Sequence, residues 1–146
     1  MEKINKLEIT ARYAETDMMG IIHHSVYPVW FEAARTEFIK MSGISYSELE
    51  KRGIMLPLTG LECKYIKPVH YEDVVTIETS LSKMSYAKIH FSYKVILNDE
   101  IMAEGKTFHG FVSSKDFRPV NIKKIMPQLY EELSNAVIKE QKTINT

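Results

Sequence analysis

The stretch VYPVWFEAARTEFIKM, residues 26–41, is the most informative part of the sequence because its apolar side chains recur every three or four residues. That spacing predicts an α-helix. Val29, Ala33 and Ile39 widen the apolar stripe beyond one face, so we expect protein neighbours around most of this helix. Three further residues have the properties of helix ends, namely a capping hydroxyl, a first-turn proline and a terminating glycine: Ser25, Pro28 and Gly43.

The segments on either side of this helix have other periods. Residues 7–13 alternate apolar and polar side chains, which predicts a half-buried strand, and residues 14–25 break that pattern and predict an ordered loop. A short helix is expected over residues 46–52. Four strand-like runs follow: residues 58–67, 74–82, 87–97 and 101–113.

Single residues add further predictions for the second half of the chain. Asn98 and Asp99 predict a tight hairpin turn that tolerates positive φ. Gly105 inside the last strand predicts a bulge or a close backbone approach. A terminal helix is expected to contain Leu129, Leu133 and Val137, and the final residues are expected to fray.

The order of elements predicts an α+β fold in a single domain, residues 1–146. Short connections predict that the four later strands form an antiparallel meander in one five-stranded sheet. One helix can cover only one face of that sheet. The other face or an edge should meet a second copy of the chain, so we predict a homodimer or a larger homo-oligomer.

Composition excludes several classes of function. The 19 Lys and Arg residues balance the 19 Asp and Glu residues, so no global charge favours nucleic acid. No apolar run is long enough for a membrane helix and the N-terminus lacks an apolar signal core, so a cytoplasmic location is expected. Cys63 is the single cysteine, and its alternation with Leu61 and Tyr65 predicts a buried structural thiol.

Common catalytic and metal-binding motifs are missing from the sequence. It contains no G-x-S-x-G, Walker A or G-x-G-x-x-G pattern, and neither C-x-x-C nor H-E-x-x-H. His23 and His24 are adjacent and therefore do not share one helix face. We expect no metal site, and we expect these two histidines to have separate roles in the loop.

One group of residues has the features of a catalytic site. Asp17 follows a predicted strand, and a loop containing Gly20 leads from it to the start of the helix. Unpaired N–H groups at a helix N-terminus carry partial positive charge and can stabilise an oxyanion, and a nearby carboxylate can attack or activate water. The structural alternative is an Asx turn in which Asp17 only holds the loop.

The same stretch resembles the signature of the 4-hydroxybenzoyl-CoA thioesterase family of hotdog-fold proteins, especially its bacterial Tol-Pal-associated acyl-CoA thioesterase branch. The matching positions are Arg12-Tyr13, Thr16-Asp17, Gly20, His24, Tyr27, Trp30-Phe31-Glu32 and Ala34-Arg35-Thr36-Glu37, with weaker matches at Tyr65, Pro68, Tyr71, Asp73 and Val74. The resemblance implies a five-stranded antiparallel sheet wrapped around one long central helix. Departures occur at Val26, where an asparagine is common, and at His23, where an aromatic residue is common.

Roles for individual residues follow from this resemblance. Asp17 matches the catalytic carboxylate, and the backbone N–H of His24 matches the donor to the thioester carbonyl. The His24 side chain matches a histidine that positions water or the acyl group, or that only supports the loop. The reaction implied needs no cofactor, because CoA is part of the substrate.

The function implied is hydrolysis of a short-chain or aromatic acyl-CoA, with an acyl carrier protein thioester as a variant and a homodimer or homotetramer as the assembly. A non-catalytic binding or interaction module on the same fold is the second interpretation, and a hydratase or dehydratase ranks below it. Four cations could meet the phosphates of CoA, although a solvated loop is the commoner explanation: Lys115, Arg118, Lys123 and Lys124. Trp30 could line an acyl pocket, but its helical spacing favours the core.

Overall fold

The structure is a computed structural model that describes residues 1–139. Its strands are β1 (Asn5–Thr10), β2 (Ile54–Met55), β3 (Leu58–Tyr65), β4 (Val74–Met84), β5 (Lys88–Leu97), β6 (Glu100–Gly110) and β7 (Val112–Ser113). Its helices are α1 (Tyr27–Lys40), α2 (Tyr46–Lys51), α3 (Ile122–Ile125) and α4 (Pro127–Ala136). None of the helices in residues 1–139 is both long enough and apolar enough to span a membrane.

Five strands form one antiparallel sheet in the order β1-β4-β5-β6-β3. The prediction of a five-stranded antiparallel sheet is confirmed, but the four-strand meander is wrong, because β3 pairs with β6 and not with β4. Residues 66–73 link β3 to β4 and are long enough to carry the chain across the sheet. The turn at Asn98 and Asp99, which both have positive φ as predicted, holds β5 and β6 together as a hairpin.

Helix α1 packs against β1, β4, β5 and β6 through large side chains. Phe31 stacks on Tyr93 with ring centroids 4.4 Å apart, and Phe38 meets Phe91 edge to face. A methyl group at Gly105 would overlap the Phe31 ring, so the predicted close backbone approach is confirmed. The glycine is needed because it lets the helix lie close to β6.

One side of α1 is exposed within the described residues. Val29 is 60% exposed, and Glu32 and Ala33 are also exposed. Most other positions of the helix are buried or half-buried as expected, but Val29 and Ala33, on which the expectation partly rested, are exposed in the single chain. The helix has 14 residues, and its exposed side bears apolar side chains that water does not stabilise.

The N-terminal end of α1 differs from the prediction. A 3₁₀ turn, His24–Val26, precedes the helix, and the His23 side chain accepts a hydrogen bond from the Ser25 N–H at its start. Ser25 is therefore not the cap, because the extra turn moves the first unpaired N–H groups upstream to His24. Pro28 lies in the first turn of α1, and Gly43 has φ +89° after its end, as predicted.

The C-terminal part covers one end of the sheet. Helix α4 contains the predicted Leu129 and Leu133, which are buried, whereas Val137 lies beyond the helix and bridges Leu81 of β4. The sequence did not predict α3 or the two-stranded sheet of β2 and β7. The predicted fraying of the last residues falls on 140–146, outside the described residues.

Candidate active site

The loop between β1 and α1 folds back on itself and connects the two candidate residues. Thr16 bridges Ile22, the Asp17 N–H donates to the Ile21 carbonyl over 2.8 Å, and the His23 N–H donates to the Glu15 carbonyl over 2.8 Å. The Asp17 arm and the arm entering α1 therefore run side by side. This pairing keeps the carboxylate close to the start of the helix.

The same loop is fixed to the rest of the protein through the β3–β4 connection. The Ile22 N–H donates to the Val69 carbonyl over 2.8 Å, and Ile21 bridges His70. Val69 itself is fully buried. The loop is thus held by backbone hydrogen bonds on a buried support, as a preorganised site requires.

Asp17 is half-buried, and one of its oxygens stabilises the turn that follows. Oδ1 accepts a hydrogen bond from the Met19 N–H over 2.8 Å, and Gly20 closes the turn with φ +78°. This is the Asx turn considered as the structural alternative. The second oxygen, Oδ2, accepts no hydrogen bond from residues 1–139. Asp17 can therefore hold the loop and still present one oxygen for chemistry.

His24 is the first residue of the 3₁₀ turn, and its side chain is exposed. Its backbone N–H has no acceptor among the described residues, which is expected of the first donors of a helix. Its carbonyl accepts a hydrogen bond from the Tyr65 hydroxyl over 2.9 Å. Its ring lies 4.1 Å from the ring of His23, centroid to centroid. The N–H is thus available to an acceptor from a bound molecule, while the carbonyl is fixed from β3.

Tyr65 and Tyr27 form an aromatic wall beside this helix end. Their rings meet edge to face at 5.1 Å. Burial, together with the neighbouring Cys63 thiol, raises the pKa of Tyr27 to about 12. Burial and contacts with Cys63 and Tyr27 raise the pKa of Tyr65 to about 12. Tyr65 therefore keeps its proton at neutral pH and acts as a donor to His24.

Glu15 is a functional candidate that the sequence reasoning missed. The side chain is 8% exposed, and each of its oxygens has a partner. Oε1 accepts from the Arg12 N–H over 2.9 Å, and Oε2 accepts from Trp30 Nε1 over 3.1 Å. A sequence signal existed, because a glutamate three residues after a turn start can bond back to that residue's N–H, and a buried tryptophan needs an acceptor.

Other predicted residues have ordinary structural roles. Trp30 is 3% exposed and belongs to the core, as its spacing indicated. Cys63 was predicted to be a buried structural thiol; it packs against the core but is only half-buried, because β3 is an edge strand. Burial nevertheless raises the pKa of the Cys63 thiol, which disfavours the reactive thiolate.

The cationic loop after β7 is partly neutralised. Arg118 Nε lies 3.6 Å from an Asp116 oxygen, and Lys123 Nζ lies 5.6 Å from the centre of the Tyr130 ring. These contacts agree with a solvated loop of mixed charge. Within residues 1–139, no cluster of three or more His, Cys, Asp or Glu side chains is arranged to hold a metal ion.

Comparisons with known proteins agree on one family. The thioesterase-like superfamily matches residues 11–135. A Bacillus subtilis protein provisionally named acyl-CoA thioesterase, YneP, is 33% identical over 134 residues, which are 91% of this chain and 97% of that protein.

Solved structures extend this likeness to three dimensions. A DHNA-CoA thioesterase from Staphylococcus aureus superposes with a TM-score of 0.85 at 34% identity, covering 89% of this chain and 90% of its own. A 1,4-dihydroxy-2-naphthoyl-CoA thioesterase from Synechocystis superposes with a TM-score of 0.78 at 15% identity, covering 89% of this chain and 97% of its own, and shows the shared fold alone.

Proposed function

Because this chain belongs to the thioesterase-like superfamily, we propose that it hydrolyses acyl-CoA with the Asp17 carboxylate and the N-terminal end of α1. The membership confirms the sequence prediction of a hotdog-fold thioester hydrolase. The finer assignments are parts of the proposal: the Tol-Pal-associated branch, a sheet wrapped around one long central helix, and the Asp17-dependent mechanism.

In the proposed reaction, the thioester carbonyl accepts a hydrogen bond from the unpaired His24 N–H. Asp17 then removes a proton from a water that attacks the carbonyl carbon, or attacks that carbon itself to form an acyl–Asp17 anhydride, which a water molecule hydrolyses after the thiolate has left. The negative charge that develops on the carbonyl oxygen is stabilised by the partial positive charge of the helix end. The carbon–sulfur bond breaks, and the CoA thiolate takes up a proton. Water supplies the second oxygen of the carboxylic acid, so the route uses no cofactor.

The observation that carries this proposal is the back-folded loop that joins Asp17 to the helix start. Its two arms are joined by backbone hydrogen bonds, one between His23 and Glu15 and one between Asp17 and Ile21. One carboxylate oxygen and one backbone N–H are left without partners on this loop. An unpaired acceptor and an unpaired donor are the two groups that acyl transfer from a good leaving group requires. The His24 ring, exposed beside them, is proposed to position the water or the acyl group.

The acyl group is proposed to be short or aromatic. An aromatic acyl group is supported by the 34% identical relative from Staphylococcus aureus, which is named for DHNA-CoA. Tyr65 adds a reason from this chain, because its exposed ring lies beside the helix end, is held edge to face by the buried Tyr27, and favours flat apolar groups. An acyl carrier protein thioester is the variant substrate within the same proposal.

A homodimer or homotetramer is proposed as the working assembly. Strand β3 lies at the edge of the sheet and exposes Leu58, Leu61 and Tyr65, and the uncovered side of α1 exposes Val29. An edge strand with unpaired backbone and apolar side chains favours pairing with another strand. A second copy is the occupant that would cover both surfaces at once. Sedimentation at micromolar protein concentration should give a mass of at least two chains, and a monomer would contradict this part.

The second candidate function is a non-catalytic acyl-CoA or acyl-carrier-protein binding module, which the Asx turn of Asp17 would serve equally well. A panel of short, long and aromatic acyl-CoAs separates the two functions. We expect thiol release, detected by a thiol-reactive dye, with at least one member. Tight binding of acyl-CoA without release from any member would favour the module and contradict hydrolysis.

A further inference from the structure

We infer that Glu15 is a positioning residue that holds the Asp17 loop against the first turn of α1. The inference rests on the proposed function, because it assigns to Glu15 the placement of the catalytic pair. Glu15 itself does not face the acyl group. It is 8% exposed, whereas Asp17, two residues further on, is half-buried and accessible.

Glu15 joins three parts of the site. Its carboxylate accepts from the Arg12 N–H over 2.9 Å and lies 3.5 Å from Arg12 Nε, which fixes the segment that follows β1. The other oxygen accepts from Trp30 Nε1 over 3.1 Å, which fixes the helix. Its backbone carbonyl accepts from the His23 N–H over 2.8 Å, which fixes the residue before the oxyanion donor.

The contact with Trp30 links the loop to the helix through a side-chain hydrogen bond. Trp30 is 3% exposed and rests against Tyr27 with ring centroids 5.3 Å apart, so its N–H has a fixed direction. A carboxylate that accepts from such a donor cannot move without leaving the indole N–H unsatisfied in the core. The hydrogen bond between Glu15 and Trp30 thus fixes the position of the loop relative to α1, in addition to the backbone hydrogen bonds within the loop.

A positioning role predicts a loss of turnover that exceeds the loss of binding. A displacement of about 1 Å in a catalytic group can reduce the rate by about a hundredfold. Glu15→Gln keeps the shape of the side chain but removes its charge, and Trp30→Phe keeps a buried ring but removes the N–H donor. We expect each variant to lower kcat by about ten- to a hundredfold with KM changed by less than about twofold.

The experiment compares Glu15→Gln, Trp30→Phe and the double variant on the best acyl-CoA of the panel. Glu131→Gln, at an exposed position of α4, is the matched control and should retain wild-type turnover. Glutamine keeps one acceptor oxygen for two N–H donors, so its NH2 group must face either the Arg12 N–H or the Trp30 N–H. With the oxygen on the Arg12 N–H, both single variants disrupt the same Trp30 contact, and the double variant should lose little more than the worse single variant. Losses that multiply in the double variant, or kcat values equal to wild type in folded single variants, would overturn the inference.

Further measurements keep the outcomes separate. Far-ultraviolet circular dichroism and thermal melting check that each variant is folded, and CoA binding by calorimetry should be unchanged in folded variants. Asp17→Asn is measured beside them. If Asp17→Asn retains full activity, the proposed function fails. If Asp17→Asn is inactive while Glu15→Gln and Trp30→Phe turn over at the wild-type rate, only the role of Glu15 fails.

Discussion

Gly105 on β6 is the position at which a single methyl group tests the contact between helix and sheet. An alanine Cβ there would lie 2.5 Å from Cζ of Phe31, closer still to Cε2, and 3.2 Å from the Glu62 carbonyl oxygen. Phe31 is fully buried and stacked on Tyr93, so the ring has no free space on its other side. The helix or the strand must therefore move.

The size of the effect follows from two opposing contributions. Overpacking a filled core costs about 1–3 kcal/mol, and the absence of any slack around Phe31 favours the upper end. Replacing a glycine whose φ is not positive recovers about 0.4–1 kcal/mol through the unfolded chain. The net loss for Gly105→Ala should be about 2 kcal/mol, which lowers Tm by about 5–8 °C in a domain of this size.

The assay is thermal and urea unfolding of Gly105→Ala, Phe31→Leu and the double variant. Leucine lacks the two ring atoms that meet the new methyl group, so the double variant should be more stable than the sum of the single losses predicts, by about 1 kcal/mol or more. Gly60, where the three atoms nearest to an added Cβ all belong to the Phe108 side chain, provides the comparison substitution Gly60→Ala. A Tm of Gly105→Ala equal to wild type, or strict additivity with Phe31→Leu, would refute the close approach of α1 to β6.

Three further predictions concern pH and the surroundings of the site. His109 is 2% exposed, and burial lowers its pKa to about 4. Between pH 6.5 and 4, the histidine therefore binds a proton in the unfolded chain but not in the folded chain. The free energy of unfolding should fall as the pH falls through this window. From pH 7 to 5, wild type should lose about 2 kcal/mol more than His109→Gln in urea unfolding, and equal losses would contradict a buried neutral imidazole. Tyr65→Phe removes the donor to the His24 carbonyl and should lower kcat by about three- to tenfold, whereas Tyr86→Phe, at an exposed turn, should leave kcat at the wild-type value. The double variant Lys115→Ala, Arg118→Ala should change the KM for acyl-CoA by less than about twofold, because the loop is solvated. A larger rise in KM would show that these two cations bind the CoA phosphates.

Local periodicity predicted much of this fold because burial follows the pattern of side chains within each element. On β5, Ile89, Phe91, Tyr93 and Val95 alternate in the sequence and are all buried against α1 or its neighbours. The place of β3 beside β6 was not predictable in this way. It depends on which strand edge a long connection reaches, and no local spacing encodes that choice.

The site was predictable in part for a similar reason. Asp17 stood out because a short carboxylate precedes a glycine turn and a helix start. Glu15 was missed because its role depends on a partner fifteen residues away, Trp30, whose N–H becomes buried only when the helix packs. Ser25 was wrongly expected as the cap because the 3₁₀ turn before α1 gives that role to the neighbouring His23 side chain.

The most direct measurement is the single-turnover rate of Asp17→Asn on the acyl-CoA that wild type hydrolyses best, with the dissociation constant for CoA measured on the same samples. An asparagine keeps the oxygen that accepts from the Met19 N–H, so the loop should stay folded while the negative charge is lost. Chemistry should slow by at least about a hundredfold, with CoA affinity unchanged. Wild-type turnover by folded Asp17→Asn would show that the carboxylate only supports the turn and that hydrolysis is carried by other groups.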